Sequence, residues 1–378
     1  MDIFLPTRQT AFLIFFNLCL ILLIFTQMKK ALNFPYTVSN EKRYLSIFLM
    51  FIFVLFPFWG KDWFHYQEAY PELKSGYAGH MEEIYVWIAQ NITYDYLSFR
   101  LIIWGGGLLL LLNLINKIPI KKDLVILVFC SVWIARYSYA RVSLAMVILY
   151  WGSILLISRR CNLLQIMIAV MVMCSSLFFH KSVAFGLALV ILSLLSLVLR
   201  SKYFITLLLI LFPLLIGPLK DFIGDFLLMD IAEEGVWGDI ASGRGYLQGE
   251  VTEYGIGASL ARVLEFVPYY LIAILCVKYI RSNVSNKKND SAPRVIVFLM
   301  RYQVIGVLVS TLFFFNLGYG DTSLIAGRFF RFFAIPSSIL LAYFIENRFS
   351  IRLSHSTFYI GFCGLLYGIL YTMYNCWY

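Results

Sequence analysis

The chain has 378 residues, of which 61% are hydrophobic and only 14% are charged, and its mean hydropathy is +0.80. A soluble protein carries about 25% charged and about 45–50% apolar residues, so the composition excludes a soluble enzyme or a nucleic-acid-binding protein despite the formal net charge of +10. A membrane-spanning helix needs about 20 apolar residues. The composition therefore predicts an all-α, polytopic integral membrane protein with a single transmembrane domain over residues 1–378.

The apolar runs predict about twelve transmembrane helices. The run from Asp123 to Ile157 is too long for one span and is interrupted near Arg136 and Arg141, so a tight helical hairpin is expected there. The first run is followed by no cleavage site and is expected to be a span rather than a signal peptide. The predicted helices lie near 9–26, 44–60, 97–116, 123–136, 141–158, 162–179, 182–199, 203–219, 262–280, 296–317, 328–345 and 357–376.

The distribution of basic residues predicts the orientation. If these spans alternate in direction, one set of loops holds 19 of the 31 Lys and Arg residues but only four of the 21 Asp and Glu residues. The loops rich in Lys and Arg are cytoplasmic in most membrane proteins. We therefore expect a multi-pass membrane protein with both termini on the outer side of the membrane.

Three segments between the spans are long enough to consider separately. Residues 61–96 form the first outer loop, in which apolar residues at helical spacing predict a short helix on the membrane surface. Residues 220–261 form a large, acidic, glycine-rich outer loop of the length that often carries function. Residues 281–295 are polar and basic, which is typical of a cytoplasmic linker.

Six cations are placed at or just inside the outer ends of strongly apolar spans. Such a placement costs free energy unless an anion or a carboxylate compensates it. Arginine is suited to bidentate binding of phosphate, so together these residues predict a site for a lipid-linked diphosphate. Snorkelling to headgroups, or pairing with loop carboxylates, is the alternative for each of them. The six residues are Arg136, Arg141, Lys181, Arg262, Arg328 and Arg331.

A proton acceptor is expected at the same depth. His180 ends an apolar run beside Lys181, and Asp62, His65 and Glu68 begin the first outer loop. A neutral imidazole or a carboxylate at this position could serve as a general base, although a lone histidine is often structural. No nucleotide-binding or metal-binding motif occurs, and the seven cysteines show no paired spacing, so we expect neither a cofactor nor a metal site.

Four short motifs give the chain a resemblance to the EpsG-type and Wzy-type polysaccharide polymerases of bacterial inner membranes. The first opens the outer loop, the second begins a helix, the third forms a turn, and the fourth belongs to an arginine-rich, aromatic span. In the second motif Val142 stands where the family usually has glutamine. The motifs are residues 60–66 (GKDWFHY), 141–145 (RVSLA), 180–184 (HKSVA) and 327–332 (GRFFRF), the last followed by Pro336.

This resemblance implies an O-antigen or exopolysaccharide polymerase. Such a glycosyltransferase moves a glycan from undecaprenyl diphosphate to another lipid-linked repeat unit at the outer membrane face. Catalysis would fall to His180 or Asp62, and substrate binding to a wider set of residues. A chain-length regulator and the lipid bilayer would be further partners. The implied substrate-binding residues are Tyr66, Arg136, Arg141, Arg262, Arg328 and Arg331.

Two other functions compete with polymerase activity. A lipid-linked oligosaccharide flippase or another transporter would need charges along a path through the bilayer, whereas the charges here cluster at one face. An O-antigen ligase would use the same donor with another acceptor, and the motifs barely separate it from a polymerase.

Overall fold

A computed structural model describes residues 61–78, 81–132, 141–157, 162–199, 256–285, 293–316 and 330–347. All regular secondary structure in these ranges is helical, in agreement with the predicted all-α class. A π-helical turn, Leu101–Gly105, interrupts α3, and a 3₁₀ turn, Arg331–Phe333, precedes α10. The helices are α1 Lys61–Ser75, α2 Glu83–Asn91, α3 Tyr96–Lys117, α4 Lys122–Val132, α5 Val142–Ile157, α6 Leu163–Phe179, α7 Val183–Leu199, α8 Ile256–Ser285, α9 Arg294–Asn316 and α10 Ala334–Glu346.

Helices occur at every predicted span that falls within the described ranges. Two segments, Tyr96–Lys117 and Arg294–Thr311, are long and apolar enough to cross a membrane, and five shorter apolar helices accompany them. The predicted spans at 9–26, 44–60, 203–219 and 357–376 lie outside the described residues. The count of twelve spans and the periplasmic termini therefore stay predictions.

Three helix ends extend beyond the predicted boundaries because the hydrogen-bonded backbone continues past the apolar run. Helix α8 begins at Ile256, within the predicted outer loop 220–261, and ends at Ser285, within the predicted linker 281–295. Helix α9 begins at Arg294. Hydropathy marks only the apolar part of a helix, whereas the hydrogen-bonded backbone extends to the next residue that breaks it.

The first outer loop contains two helices. The expected helix is present as α2, while α1 was not predicted because its composition is polar and it contains Pro71. The apolar side of α2 is buried, with Tyr85 only 1% exposed, whereas Trp87 is exposed. A position of α2 on the membrane surface stays a prediction.

The chain divides into two compact units. The described residues up to Tyr77, from Glu82 to Val183 and from Ser338 belong to the first unit. The segments Ala78–Met81 and Ala184–Ser337 belong to the second.

The first unit is organised around the hairpin of α5 and α6, which pack along their length. Gly152 permits this close approach, since a Cβ atom there would lie 2.6 Å from the Met173 side chain and 2.8 Å from the carbonyl oxygen of Ala169. At Gly106, on α3, a Cβ atom would by contrast meet nothing within 4 Å.

The second unit pairs α8 with α9 and surrounds them with aromatic side chains. Phe330 stacks on Phe266 with ring centroids 4.6 Å apart, and Phe333 packs against Gly306. The aromatic residues of the 327–332 motif that are described, Phe330 and Phe332, are each 1% exposed. This part of the motif therefore builds the core of the second unit.

Candidate functional site

The α5–α6 hairpin places two of the predicted site residues at the same end. Arg141 immediately precedes α5, and His180 immediately follows α6 in extended backbone conformation. Because the two helices are consecutive and packed along their length, the beginning of α5 and the end of α6 are neighbours. Both residues thus lie at one end of the first unit, although 39 positions separate them in the chain.

Glu82 connects these two residues. One carboxylate oxygen, Oε2, accepts a hydrogen bond from Nη1 of Arg141 at 3.1 Å, and the other, Oε1, lies 3.1 Å from Nδ1 of His180. Glu82 occupies the N-cap position of α2, but its side chain makes no capping hydrogen bond to that helix. Its carboxylate is instead shared between the cation and the imidazole.

Tyr66, on α1, holds the other side of Arg141. Its hydroxyl accepts a hydrogen bond from Nε of Arg141 at 3.0 Å, and the guanidinium carbon lies 5.7 Å from the centre of its ring. Tyr66 in turn packs against Trp104 of α3 with ring centroids 5.5 Å apart. Partners on α1 and at the start of α2 therefore fix the direction of the guanidinium plane.

Helix α2 is anchored at both ends, which fixes the position of Glu82. The hydroxyl of Tyr85 donates a hydrogen bond to the carbonyl oxygen of Phe179, at the end of α6, at 2.9 Å. At the opposite end of α2, the Lys74 ammonium donates to the carbonyl oxygens of Ala89 and Thr93. A cation at the last carbonyls of a helix also interacts favourably with the helix dipole.

The charges around Glu82 keep its carboxyl ionised. Burial alone favours the neutral form, but the contacts with His180 and Arg141 outweigh it, so the pKa of Glu82 lies below its ordinary value of 4.5. Burial and the negative charge of Glu82 raise the pKa of Tyr85 well above 10, and its hydroxyl stays protonated as a donor. At neutral pH the cluster therefore holds an ionised carboxylate beside the guanidinium of Arg141 and the side chain of His180.

The two contacts of Glu82 are unequal in geometry. The contact with Arg141 meets the distance and direction of a hydrogen bond. Nδ1 of His180 is buried and close enough for an ion pair, yet it is not aligned for a hydrogen bond with Oε1. Both contacts measure 3.1 Å, so the carboxylate is shared, but only the contact with Arg141 is aligned as a hydrogen bond.

The cluster remains partly accessible. The side chains of Glu82, Arg141 and His180 are 13%, 16% and 28% exposed. A polar cluster at helix ends, partly buried and partly open, can exchange its internal contacts for contacts with a ligand. An oxyanion could approach Arg141, and a hydroxyl could approach the imidazole.

The other predicted site residues are not part of what the structure describes of this cluster. Asp62 lies one helical turn before Tyr66 on α1, while Arg262 lies on α8 and Arg331 in the 3₁₀ turn of the second unit. The side chains of these three residues are outside the described part of the structure. Arg136 and Arg328 lie outside the described residues altogether.

Glu82 is the residue that sequence reasoning missed. The sequence indicated that a cation at an apolar helix end needs a compensating anion, and Arg141 has one in Glu82. The only local signal was the pair Glu82 and Glu83 at the start of an apolar helix. The outer loops hold many other carboxylates, so the partner could not be chosen without the fold.

A groove of about 540 Å³ lies elsewhere, between α8 and α9 of the second unit. It is largely apolar, with Tyr270 and Thr311 towards one end and Lys278 towards the other. None of the sequence-predicted site residues whose side chains the structure describes lines it. Within the described ranges, no group of three or more His, Cys, Asp or Glu side chains could hold a metal ion.

Comparison with curated proteins and with solved structures gives no significant match. Residues 42–377, by contrast, match the EpsG family. The match includes all four members of the cluster formed by Tyr66, Glu82, Arg141 and His180, and it confirms the resemblance seen in the short motifs. With its apolar helices, the chain is a membrane protein, and it belongs to the EpsG family.

Proposed function

We propose that this protein is a polysaccharide polymerase of the bacterial inner membrane. It transfers a glycan from undecaprenyl diphosphate to another lipid-linked repeat unit at the outer face of that membrane. Membership of the EpsG family supports a polymerase-like role in polysaccharide biosynthesis. The observation that carries the proposal is the shared carboxylate of Glu82, which holds a guanidinium and an imidazole at one end of the α5–α6 hairpin.

The chemistry needs a cation and a base close together. In glycosyl transfer, the bond between the anomeric carbon and the diphosphate oxygen breaks while an acceptor hydroxyl attacks that carbon. Negative charge builds on the leaving diphosphate, and a preorganised guanidinium stabilises it. Arg141 takes this role, and its orientation is fixed by Tyr66 and Glu82.

His180 accepts the proton of the acceptor hydroxyl. A carboxylate beside one imidazole nitrogen favours a tautomer in which the other nitrogen accepts a proton, and it stabilises the imidazolium that results. Glu82 lies at Nδ1 of His180, so the second ring nitrogen is the proposed acceptor. Asp62, one turn before Tyr66 on α1, is the alternative base.

The diphosphate site predicted from the sequence also includes Arg328 and Arg331 as ligands, with Arg136 and Arg262 assisting, and these four roles stay predictions. The guanidinium groups supply the positive charge that a divalent cation supplies in other glycosyltransferases, so transfer is expected to continue in the presence of a chelator. A chain-length regulator would act as a partner.

Deletion of the gene tests the proposal. The expected product in the deletion strain is a surface glycan with a single repeat unit, in place of the ladder of long chains. A ladder that survives the deletion contradicts polymerase activity. Loss of even the single-unit product instead indicates a ligase or a flippase, because those steps precede or include attachment of the first unit.

A further inference from the structure

The carboxylate of Glu82 has two neighbours but is aligned with only one of them. Its Oε2 accepts a hydrogen bond from Arg141, whereas its Oε1 lies 3.1 Å from an imidazole nitrogen that has no aligned acceptor. A buried N–H without an aligned acceptor is unfavourable. A rearrangement that turns the carboxylate towards His180 would remove this cost.

The diphosphate of the donor would cause such a rearrangement. A diphosphate oxygen is an anionic acceptor with the same preference for a guanidinium as the Glu82 carboxylate. The two anions therefore compete for Nη1 of Arg141. Once the diphosphate has that position, the nearest donor for the displaced carboxylate is Nδ1 of His180.

We propose that Glu82 is a positioning residue that couples donor binding to the base. The lipid diphosphate replaces Glu82 as the hydrogen-bond acceptor of Arg141, and the released carboxylate aligns the His180 imidazole. This inference rests on the proposed glycosyl transfer. It gives the reaction an order, since the donor must bind before the histidine is oriented to accept a proton.

The transfer moves one proton to the base and releases one leaving group. The acceptor oxygen forms a bond to the anomeric carbon as the bond to the diphosphate breaks. The proton of the acceptor hydroxyl passes to the second nitrogen of His180, and Glu82 stabilises the imidazolium. The diphosphate leaves with its negative charge compensated by Arg141.

The other polar groups near Glu82 do not replace it in this role. The hydroxyl of Tyr85 is committed to the carbonyl oxygen of Phe179, and that of Tyr66 accepts from Nε of Arg141. The neighbouring Glu83 is exposed to solvent. Glu82 is therefore the carboxylate in the described cluster that contacts both the cation and the imidazole.

Binding and transfer should respond in opposite directions to loss of this carboxylate. The full-length protein in detergent is titrated with farnesyl diphosphate, a short soluble prenyl diphosphate, and transfer is measured separately with lipid-linked repeat units. Glu82→Gln removes the competing anion, so farnesyl diphosphate should bind about tenfold more tightly. Transfer should fall about a hundredfold, because the imidazole loses its orienting carboxylate.

Two further variants separate this inference from the proposed function. Arg141→Ala should lose diphosphate binding, and His180→Gln should bind farnesyl diphosphate like the wild type while transferring slowly. If the wild type fails to bind farnesyl diphosphate, or Arg141→Ala binds it equally well, the proposed diphosphate site is wrong and the coupling with it. If those two results hold but Glu82→Gln binds no more tightly than the wild type, only the coupling is overturned.

Glu82→Asp covers the case in which the glutamine variant does not accumulate in the membrane. Aspartate keeps the charge but is one methylene shorter, so it cannot span from Arg141 to His180 as glutamate does. We expect tighter farnesyl diphosphate binding than in the wild type, together with slow transfer. Unchanged binding in Glu82→Asp overturns the coupling.

Discussion

Each compact unit brings polar side chains together between helices, but the two polar clusters differ in charge and exposure. In the first unit, Glu82, Arg141 and His180 lie at helix ends and remain partly exposed. In the second, Gln303 is fully buried within α9, where it donates to the carbonyl oxygen of Tyr269 and accepts from the fully buried Ser337 hydroxyl. One cluster is ionic and accessible; the other is neutral and enclosed.

This difference indicates different roles. Buried neutral groups that satisfy one another specify how helices pack, and they offer nothing to a ligand. Ionic groups that are partly exposed can exchange partners, which a binding or catalytic site requires. Substitutions in the first cluster should therefore change activity more than stability, and substitutions in the second should do the reverse.

The largest effect is expected at Arg141. Arg141→Ala should lower the transfer rate by roughly a hundredfold to a thousandfold, the usual cost of losing one preorganised charge contact in a transition state. Arg141→Lys should restore only part of the activity, because an ammonium lacks the planar fork that bonds Tyr66 and Glu82 together. The length distribution of the polysaccharide and the rate of transfer measure this effect.

A matched arginine variant provides the control for this prediction. Arg294, at the start of α9 in the second unit, is exposed. Arg294→Ala should polymerise almost normally. If the two alanine variants behave alike, or if Arg141→Ala simply fails to accumulate in the membrane, Arg141 is structural and the contrast between the two clusters fails.

His180→Gln should show the next largest effect. Glutamine retains hydrogen-bonding capacity and similar size but cannot accept the proton, so transfer should slow by about a hundredfold. The amount of protein in the membrane should be unchanged, since the side chain is partly exposed and its Nδ1 makes no aligned hydrogen bond. A transfer rate within threefold of the wild type (about half a log unit) would remove His180 as the base and favour Asp62.

Gln303→Leu should lower stability while leaving the transfer rate nearly unchanged. It removes the acceptor of the buried Ser337 hydroxyl and the donor to the Tyr269 carbonyl, which costs about 1–3 kcal/mol of stability. The thermal unfolding midpoint in detergent should fall, while the transfer rate per folded molecule should stay within about twofold. Gln90→Leu, at an exposed position of α2, is the control and should leave the midpoint unchanged. A large loss of turnover without loss of stability would assign the second cluster to the site.

The smallest effect concerns pH. Because the folded protein lowers the pKa of Glu82 below 4.5, the ionised carboxylate stabilises the fold at pH values above 4.5. This contribution should be lost as the pH falls through the lowered pKa. The difference in unfolding midpoint between the wild type and Glu82→Gln should therefore shrink towards acid pH. A difference that grows on acidification contradicts the ion pair.

Helix positions could be predicted well from sequence where the apolar run alone determines the helix. The predicted spans 97–116, 141–158, 162–179 and 182–199 agree with α3, α5, α6 and α7 to within one residue at each end. Helix α1 was missed, since a short polar helix carries no hydropathy signal and depends on the packing of Tyr66 and Tyr70. The sequence locates apolar helices, while tertiary contacts decide where a short polar helix such as α1 forms.

The sequence indicated that Arg141 and His180 lie at the ends of apolar runs, and the structure places both at one end of the α5–α6 hairpin. Their depth in the membrane and their role in a site stay predictions. Their common partner, Glu82, follows from how α2 is held against the end of α6 by Tyr85, which hydropathy does not encode. Pairing across a chain separation of 59 residues requires the fold itself.

The close contact at Gly152 has a consequence for the spacing of the charged groups. Gly152 lies eleven residues after Arg141, about 16 Å along α5, and faces Ala169 and Met173 on α6. A larger residue would force the helices to separate or to slide along each other, and a slide of one residue shifts one helix end by about 1.5 Å against the other. The distance from Arg141 to His180, and so the ability of one carboxylate to touch both, is set in the interior of the hairpin, far from the groups themselves.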